Sequence, residues 1–378
     1  MRIECVELIH YGIPLRVPLA VSFGVQTRRE GLFAVLHAEG LTGWGECPII
    51  EGYSYETLTT AWHVAADLLI PGLLGRDIAE PGDVEPLLRH VRGHPFARSM
   101  LEMAAWDLTA QRDGLSFARK LAAPYPEGAR QRVKTGISIG IQPETELRGV
   151  IAGYLEQGYE RVKLKIKPGH DLVPARLARR EFPDLKLMLD ANSAYTLADV
   201  GVFQAMDDLE LLMIEQPLAH DDIFEHSRLR PQIATPVCLD ESIHSVHDVH
   251  VAAALGACDI VNIKTARVGG WIEGRRIHDL CLNHGLKVWI GGMVETEIGT
   301  AAKVAMAALP GVTMHSDIAV SHERFAIAVA EPFTLNADDS TVTVPTRPGL
   351  GITIDTDAIA HITLRRETFA GGSPATRA

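Results

Sequence analysis

Lys165, Asp190, Glu215, Asp240 and Lys264 follow one another at intervals of 25, 25, 25 and 24 residues. Each closes a short apolar run, in KLKIK, LMLDAN, LMIEQP, VCLDES and VNIKTA. An apolar run has no reason to end in a charge unless that charge meets a partner. Ordinary strand-end salt bridges account for any one of these residues; five at one period, in the order Lys-Asp-Glu-Asp-Lys, need mutual compensation. Three carboxylates present hard oxygen ligands, which suit Mg²⁺ in octahedral coordination with water or substrate completing the shell; Mn²⁺ or another divalent ion can substitute. A lysine lies on either side. A lysine beside a divalent cation and a second cationic group, here Lys163, has its charged form disfavoured and suits general-base work. Two lysines facing each other across a metal suit removal of a proton alpha to a carboxylate, with the resulting enediolate held by the metal.

The elements that must position these residues are short apolar runs separated by amphipathic stretches: GISIG, RVKLKI, LKLMLD, LLMIEQP, VCLDES, DIVNIK, KVWIGGM and VTMHSD. Helix-length gaps between the central runs predict parallel pairing, and eight of them predict a closed (β/α) barrel. One βα unit returns the chain to the same height on the next strand, so all five side chains ring the C-terminal mouth. A doubly wound open sheet is the runner-up, but no G-x-G-x-x-G follows any strand. Before the barrel, residues 2–10 and 32–39 read as strands and Tyr55 to Leu74 as a helix. Leu101, Ala104, Ala105 and Leu108 repeat at helical spacing. The polar segment 124–134 marks a boundary. The expected organisation is an α+β capping domain over 1–126, a barrel over 127–325, and a segment over 326–378 that packs back on the cap through STVTVPTRPGLGITID, with 368–378 a frayed tail.

The chain has 378 residues, 47% of them hydrophobic, enough for a large core. Asp plus Glu number 48 against 36 Lys plus Arg, a net charge of -12 that repels a phosphate backbone and argues against nucleic acid as a partner. No apolar run is long enough to span a bilayer, and the first residues alternate like a strand rather than reading as a signal peptide. The five cysteines form no C-x-x-C pair; a reducing cytosol fits them better than a disulfide framework or a zinc knuckle.

Three other signals carry less. Gly136-Ile137-Ser138-Ile139-Gly140 matches a nucleophile elbow in letters, but β-branched residues flank the serine and the strand pattern continues, so Ser138 reads as a contact at the barrel mouth. His244, His247 and His250 on a helix after the fifth strand do not converge and read as a solvated face. Trp289 and Met293 read as barrel packing and pocket wall, and Cys47 and Cys238 as small buried hydrophobes.

These residues are similar to those of the enolase superfamily, in its muconate-lactonizing subgroup. More narrowly they resemble the o-succinylbenzoate synthase and N-acylamino acid racemase family. The likeness rests on WGECP at 44–48, LEMAAWDL at 101–108, Lys163-Leu-Lys165, LDANSAY at 189–195, IEQPL at 214–218, LDESI at 239–243, NIK at 262–264, GGMVE at 291–295 and PGLG at 348–351. It implies a modified (β/α)₇β TIM barrel with an α+β cap. It implies Asp190, Glu215 and Asp240 as Mg²⁺ ligands, Lys165 and Lys264 as the acid/base pair, and Lys163 tuning Lys165. Arg267, three residues after Lys264, would tune that lysine, with Glu241 also behind the ligands. Ser138, Asn192, Gly292, Met293 and Asp317 would line the substrate, with Phe23 and Tyr53 on cap loops around 22–26 and 51–55 that close over it. The implied partner is a small-molecule carboxylate, and the implied assembly a homo-oligomer, a dimer or octamer. The implied reactions are racemisation of an N-acylamino (N-succinylamino) acid and syn dehydration to o-succinylbenzoate for menaquinone. Dipeptide epimerisation, muconate lactonization and a catalytically silent metal-binding barrel stand as alternatives. The run Lys287 to Glu295 holds no histidine, which disfavours the mandelate type. Departures from the family pattern at Thr265-Ala266, Thr296, Glu297, Thr300 and Met314-His315-Ser316 are expected near the substrate, with Glu297 or His315 able to alter its choice.

Overall fold

The computed structural model describes residues 1–21, 24–318, 320 and 324–370. Strands β1 (Cys5–Val21), β2 (Gly24–Ala38) and β3 (Leu41–Cys47) form an antiparallel sheet, completed outside β1 by the C-terminal strand Thr363–Ala370. The helix Pro95–Arg112 lies directly on β3. A Cβ at Gly45 would stand 1.8 Å from the Met100 carbonyl oxygen, and one at Gly43 2.2 Å from that of Ala104. The glycines of this strand therefore exist for close approach of helix to sheet. Leu101, Ala104, Ala105 and Leu108 face the cap core, while Met103 and Trp106 on the opposite side of the same helix join the barrel's cluster. That helix is apolar on two faces because it is sandwiched. The expected helix over 55–74 is broken into Leu58–Val64, a π-helical turn Ala65–Leu69 and Ile70–Leu73.

The short strand β4 (Arg132–Lys134) leads into the barrel, whose parallel strands follow in sequence order. They are β5 (Ile137–Ile139), β6 (Arg161–Lys165), β7 (Lys186–Asp190), β8 (Ile214–Glu215), β9 (Val237–Leu239), β10 (Ile260–Ile263) and β11 (Lys287–Ile290). The eighth run, VTMHSD, forms a single parallel bridge, Thr135 with Ser316, rather than a strand. It nevertheless closes the ring, since Asp317 N–H donates to Ile290 O at 2.9 Å and Gly136 N–H to Ser316 O at 3.0 Å. The fold is thus a modified TIM barrel with an α+β cap.

Two expectations about the C-terminal segment are corrected. Thr341–Thr343 pairs with β4 and with Leu335–Asn336 in a small sheet beside the barrel, not with the cap. Within STVTVPTRPGLGITID, PGLG does reach the cap, where Leu350 N–H donates to Asp107 Oδ1 at 2.8 Å. Residues 368–370 are not frayed; they are ladder partners of Cys5, Val6 and Glu7. One edge of β1 is taken by β2, and the strand Thr363–Ala370 covers the other.

Cap carboxylates dock the two units together. Glu46 accepts from Thr296 N–H and Gly299 N–H, at 3.0 and 2.8 Å, at the start of the barrel helix Glu297–Ala307. Glu102 accepts from Ile272 N–H at 2.9 Å at the start of Trp271–Asn283. Glu56 does the same within the cap, accepting from Phe96 N–H at 2.7 Å. Each offers carboxyl oxygens as acceptors to the orphan N–H donors at the start of a helix. Among the described residues no helix is long and apolar enough to cross a membrane.

Candidate active site

The five periodic residues do meet at one mouth. Lys165, Asp190 and Glu215 are the last residues of β6, β7 and β8, in register as Lys165 with Asp190 and Asp190 with Glu215. Asp240 and Lys264 follow β9 and β10 immediately. Asp190, Glu215 and Asp240 are fully buried. Lys165 Nζ donates to Asp190 Oδ2 at 2.6 Å and also bonds Asn192 Oδ1. Lys264 Nζ donates to Asp240 Oδ2 at 2.8 Å and to the Tyr53 hydroxyl at 2.6 Å. Each lysine therefore holds a different outer carboxylate, with Glu215 between them.

Around Glu215 the charges are dense. Lys163 Nζ lies 2.9 Å from Glu215 Oε2, 3.3 Å from Asp190 Oδ2 and 2.8 Å from Asp317 Oδ2. Burial works against that ammonium, but Asp317, Glu215 and Asp190 outweigh it and hold its pKa well above the usual lysine value. Asn262 Nδ2 donates to the other oxygen of Glu215 at 2.6 Å. Burial, reinforced by Asp190, pushes the Glu215 carboxyl well up. Burial also acts on Asp240, yet Arg267 and Lys264 hold it far below the ordinary carboxylate range. The Arg267 guanidinium contacts Asp240 Oδ1 directly and is anchored on the carbonyls of Ile243 and Asn262 at 2.8 Å each.

Glu241 accepts from Asn192 Nδ2 at 2.9 Å through one oxygen; the other is buried without a partner among the described residues. Burial and the neighbouring Asp240 push its carboxyl up to about 7. Among the described residues no three such groups converge on one point; Asp190, Glu215 and Asp240 are each drawn onto a cationic side chain instead. In type and burial the donor set fits a hard divalent cation, and the unpartnered Glu241 oxygen beside two buried aspartates marks a place short of positive charge.

The residues expected to line the substrate separate. Tyr53 sits over the site, its ring centroid 4.6 Å from Lys264 Nζ and its hydroxyl 3.0 Å from Asp240 Oδ2. Asn192, in the left-handed conformation at φ 41°, is at the mouth. Ser138 and Asp317 are bonded to each other and to the barrel's cations: Ser138 Oγ donates to Asp317 Oδ2 at 3.2 Å, and Asp317 is paired with Arg161 and Lys163. Gly292 lies against the Asp317 carbonyl, which a Cβ would approach to 2.9 Å. The Met293 side chain is buried in the cap's core, while its carbonyl accepts from Arg29 at 3.0 Å. Phe23 lies outside the described residues.

Glu297 and His315 do not reach the substrate region as expected. Glu297 is wholly buried and accepts from Val329 N–H at 3.1 Å. His315, two residues before Asp317, points one layer lower in the barrel, where Nε2 lies 3.3 Å from Glu160 Oε2 beside the start of β6. His244 precedes the helix Val246–Leu255 instead of lying on it, and its ring packs 5.2 Å from that of Tyr55. Arg161, buried and paired with Asp317, is a charged residue of this site that the spacing of motifs did not single out. Its signal was present, since Arg161, Lys163 and Lys165 alternate along one face of a strand.

Comparison with known proteins gives the family. The family model described as "Enolase C-terminal domain-like" matches residues 146–358, and that of the "Mandelate racemase / muconate lactonizing enzyme, N-terminal domain" matches residues 4–121. The chain belongs to the enolase superfamily, in its muconate-lactonizing subgroup. Its relatives include an o-succinylbenzoate synthase of Geobacillus kaustophilus, 41% identical over 98% of both chains. An N-succinylamino acid racemase of an Amycolatopsis species is 43% identical over 93% of this chain and 95% of its own. A solved enolase-superfamily structure from Listeria innocua superposes with a TM-score of 0.92 at 35% identity, covering 98% of this chain and 99% of that one. Within this enolase-superfamily member, the motifs of the cap acquire structural reasons: WGECP supplies the close-packed Gly45 and the helix-capping Glu46, and LEMAAWDL supplies Glu102 and Asp107.

Proposed function

We propose that this enzyme abstracts the proton alpha to a carboxylate in a Mg²⁺-dependent reaction and racemises N-acylamino acids, N-succinylamino acids first among them. The observation that carries the reading is the placement of Lys165 and Lys264 on opposite flanks of three buried carboxylates, each on its own aspartate. Asp190, Glu215 and Asp240 would hold the metal, which supplies fixed positive charge beside the substrate carboxylate where negative charge develops.

The chain's own groups do the proton work. One lysine, as the free amine, takes the proton from Cα; the C–H bond breaks, an N–H bond forms, and the electron pair passes into the carboxylate as an enediolate. The other lysine, as the ammonium, returns a proton to the opposite face, which inverts the centre. Lys163, held as a cation by three carboxylates, balances the charge on the Lys165 side, and Arg267 does so behind Lys264 through Asp240. Tyr53 closes the site from the cap and keeps water from Lys264.

A second reading, dehydration of the o-succinylbenzoate precursor, is favoured by the relatives bearing the synthase name, and it needs only one lysine for the proton while the other serves as a cation. The deciding experiment is proton NMR of the Mg²⁺-loaded protein in D₂O with N-succinyl and N-acetyl amino acids and with that precursor. Loss of the alpha-proton signal with racemisation supports the first reading. Aromatisation of the precursor without alpha exchange supports the second. Reaction with neither refutes both and directs the search to dipeptides and muconates. The proposed setting is a reducing cytosol, supported by five free cysteines, with the chain as a homo-oligomer that light scattering would measure.

A further inference from the structure

The two lysines rest on two buried arms that are joined through Glu215, which takes Lys163 Nζ on one oxygen at 2.9 Å and Asn262 Nδ2 on the other at 2.6 Å. Behind Lys264 stands Asp240, shared with Arg267, which is itself fixed to the carbonyls of Ile243 and Asn262. Behind Lys165 stands Asp190, whose Oδ2 is shared between Lys165 at 2.6 Å and Lys163 at 3.3 Å. Lys163 is then tied to Asp317 Oδ2 at 2.8 Å, and Asp317 Oδ1 accepts from Arg161 Nη2 at 2.7 Å. Ser138 adds its hydroxyl to the same aspartate.

Arg161 is anchored as well, though less tightly than Arg267, since its Nε is buried without a partner among the described residues. It donates to the carbonyls of Ile137 and His315, at 3.4 and 3.1 Å, and its guanidinium carbon lies 5.5 Å from the centroid of the Trp289 ring. Lys163 Nζ is 4.9 Å from the same ring. The guanidinium has room because position 136 is glycine; a Cβ there would lie 2.3 Å from Nε. An ammonium on a four-carbon stem does not keep one position unaided. A barrel interior gains little stability from such a chain of buried charges, which apolar residues replace without loss in many proteins. Its value therefore lies in where it puts Lys163.

We infer that Asp317 and Arg161 are positioning residues for the Lys165 face alone: they fix Lys163 against Asp190 and so set where Lys165 stands. They do for Lys165 what Arg267 does for Lys264. The inference rests on the two-lysine proton-transfer reading above, and it moves Asp317 from substrate contact to support.

The test follows deuterium exchange at the alpha carbon for each enantiomer of an N-succinylamino acid, in D₂O with Mg²⁺. Lys165→Ala and Lys264→Ala first assign each enantiomer to a face. Asp317→Asn and Arg161→Met should then slow exchange on the Lys165 face by about 10–100-fold and leave the Lys264 face within about threefold. Glu160→Gln, at the barrel floor, should leave both faces unchanged. Equal slowing of both faces, or no slowing, overturns the inference, because a merely structural role does not distinguish faces. Should Arg161→Met fail to fold by circular dichroism, Asp317→Asn, which keeps the side chain's size, carries the test. If the wild-type protein exchanges neither enantiomer of any substrate, the reading of the reaction has failed, and a crystal structure of Asp317→Asn decides the positioning claim. Lys165 displaced from Asp190 with Lys264 still on Asp240 upholds it; both lysines unmoved overturns it.

Discussion

At the residue scale, the site divides labour between charges that react and charges that hold. Lys165 and Lys264 each touch one aspartate at the mouth, whereas Lys163, Arg161 and Arg267 are locked among buried partners. Two predictions belong here. Lys165→Ala and Lys264→Ala should each abolish racemisation, a loss of at least about 10²–10⁴-fold, while each retains alpha exchange of one enantiomer. The NMR experiment reads both, and retention of racemisation by either variant contradicts the two-sided mechanism. Asp240→Asn should weaken Mg²⁺ binding by about 10–100-fold in isothermal titration, because it removes a fully buried anion. It also leaves Arg267 without its counter-charge, so a lowered melting temperature should accompany the change.

At the element scale, close approach decides where the cap can carry side chains. The contact of β3 with the helix Pro95–Arg112 leaves no space at Gly45, where an added Cβ would fall 1.8 Å from a backbone oxygen. Gly45→Ala should therefore destabilise the protein by about 1–3 kcal/mol or more, since backbone cannot yield as a flexible side chain does. Gly201→Ala, at a position with open space around it, should be neutral or slightly stabilising by comparison. Urea unfolding of the two variants side by side measures the difference, and equal midpoints would contradict the packing argument. The helix over 58–73 is broken into three segments. Its apolar spacing is legible in the sequence, but the π-helical turn at Ala65–Leu69 that interrupts it is not.

At the scale of the whole molecule, cap and barrel are joined by carboxylates that burial makes weak acids. Glu102 is pushed up to about 7 and Asp107 to about 6, and Glu56 inside the cap to about 7, each chiefly by burial. A carboxyl that holds its proton more tightly folded than unfolded contributes stability that is complete below its unfolded pKa. That contribution is lost as pH rises through the folded value. The metal-free protein should therefore melt at lower temperature as pH rises from about 5 to 8. Glu102→Gln should flatten part of that slope in differential scanning calorimetry, even as it lowers stability overall by weakening the cap on Trp271–Asn283. An unchanged slope in the variant would remove Glu102 from this account. Asp240 and Asp317, whose carboxyls are held low by Arg267, Lys264, Lys163 and Arg161 against the opposing effect of burial, act in the other direction. Their stability is present above the ordinary aspartate range and is lost as pH falls through their folded values.

Local repetition is legible in one dimension. The interval of about 25 residues is one βα unit, so Lys165, Asp190, Glu215, Asp240 and Lys264 could be placed at one mouth before any contact was known. The alternation of Arg161, Lys163 and Lys165 on one face of β6 was equally visible, though its meaning was not. Tertiary structure alone decided which distant groups meet. Barrel closure brings Asp317 beside Arg161 and Lys163, and strand geometry drops His315 one layer below it. The chain's end pairs with its beginning because β1 has a free edge. Cap carboxylates choose barrel helices that begin more than 150 residues away in sequence. Periodicity is a property of neighbouring residues, whereas the partner of a buried charge is fixed by the packing of the entire chain and has no local signature.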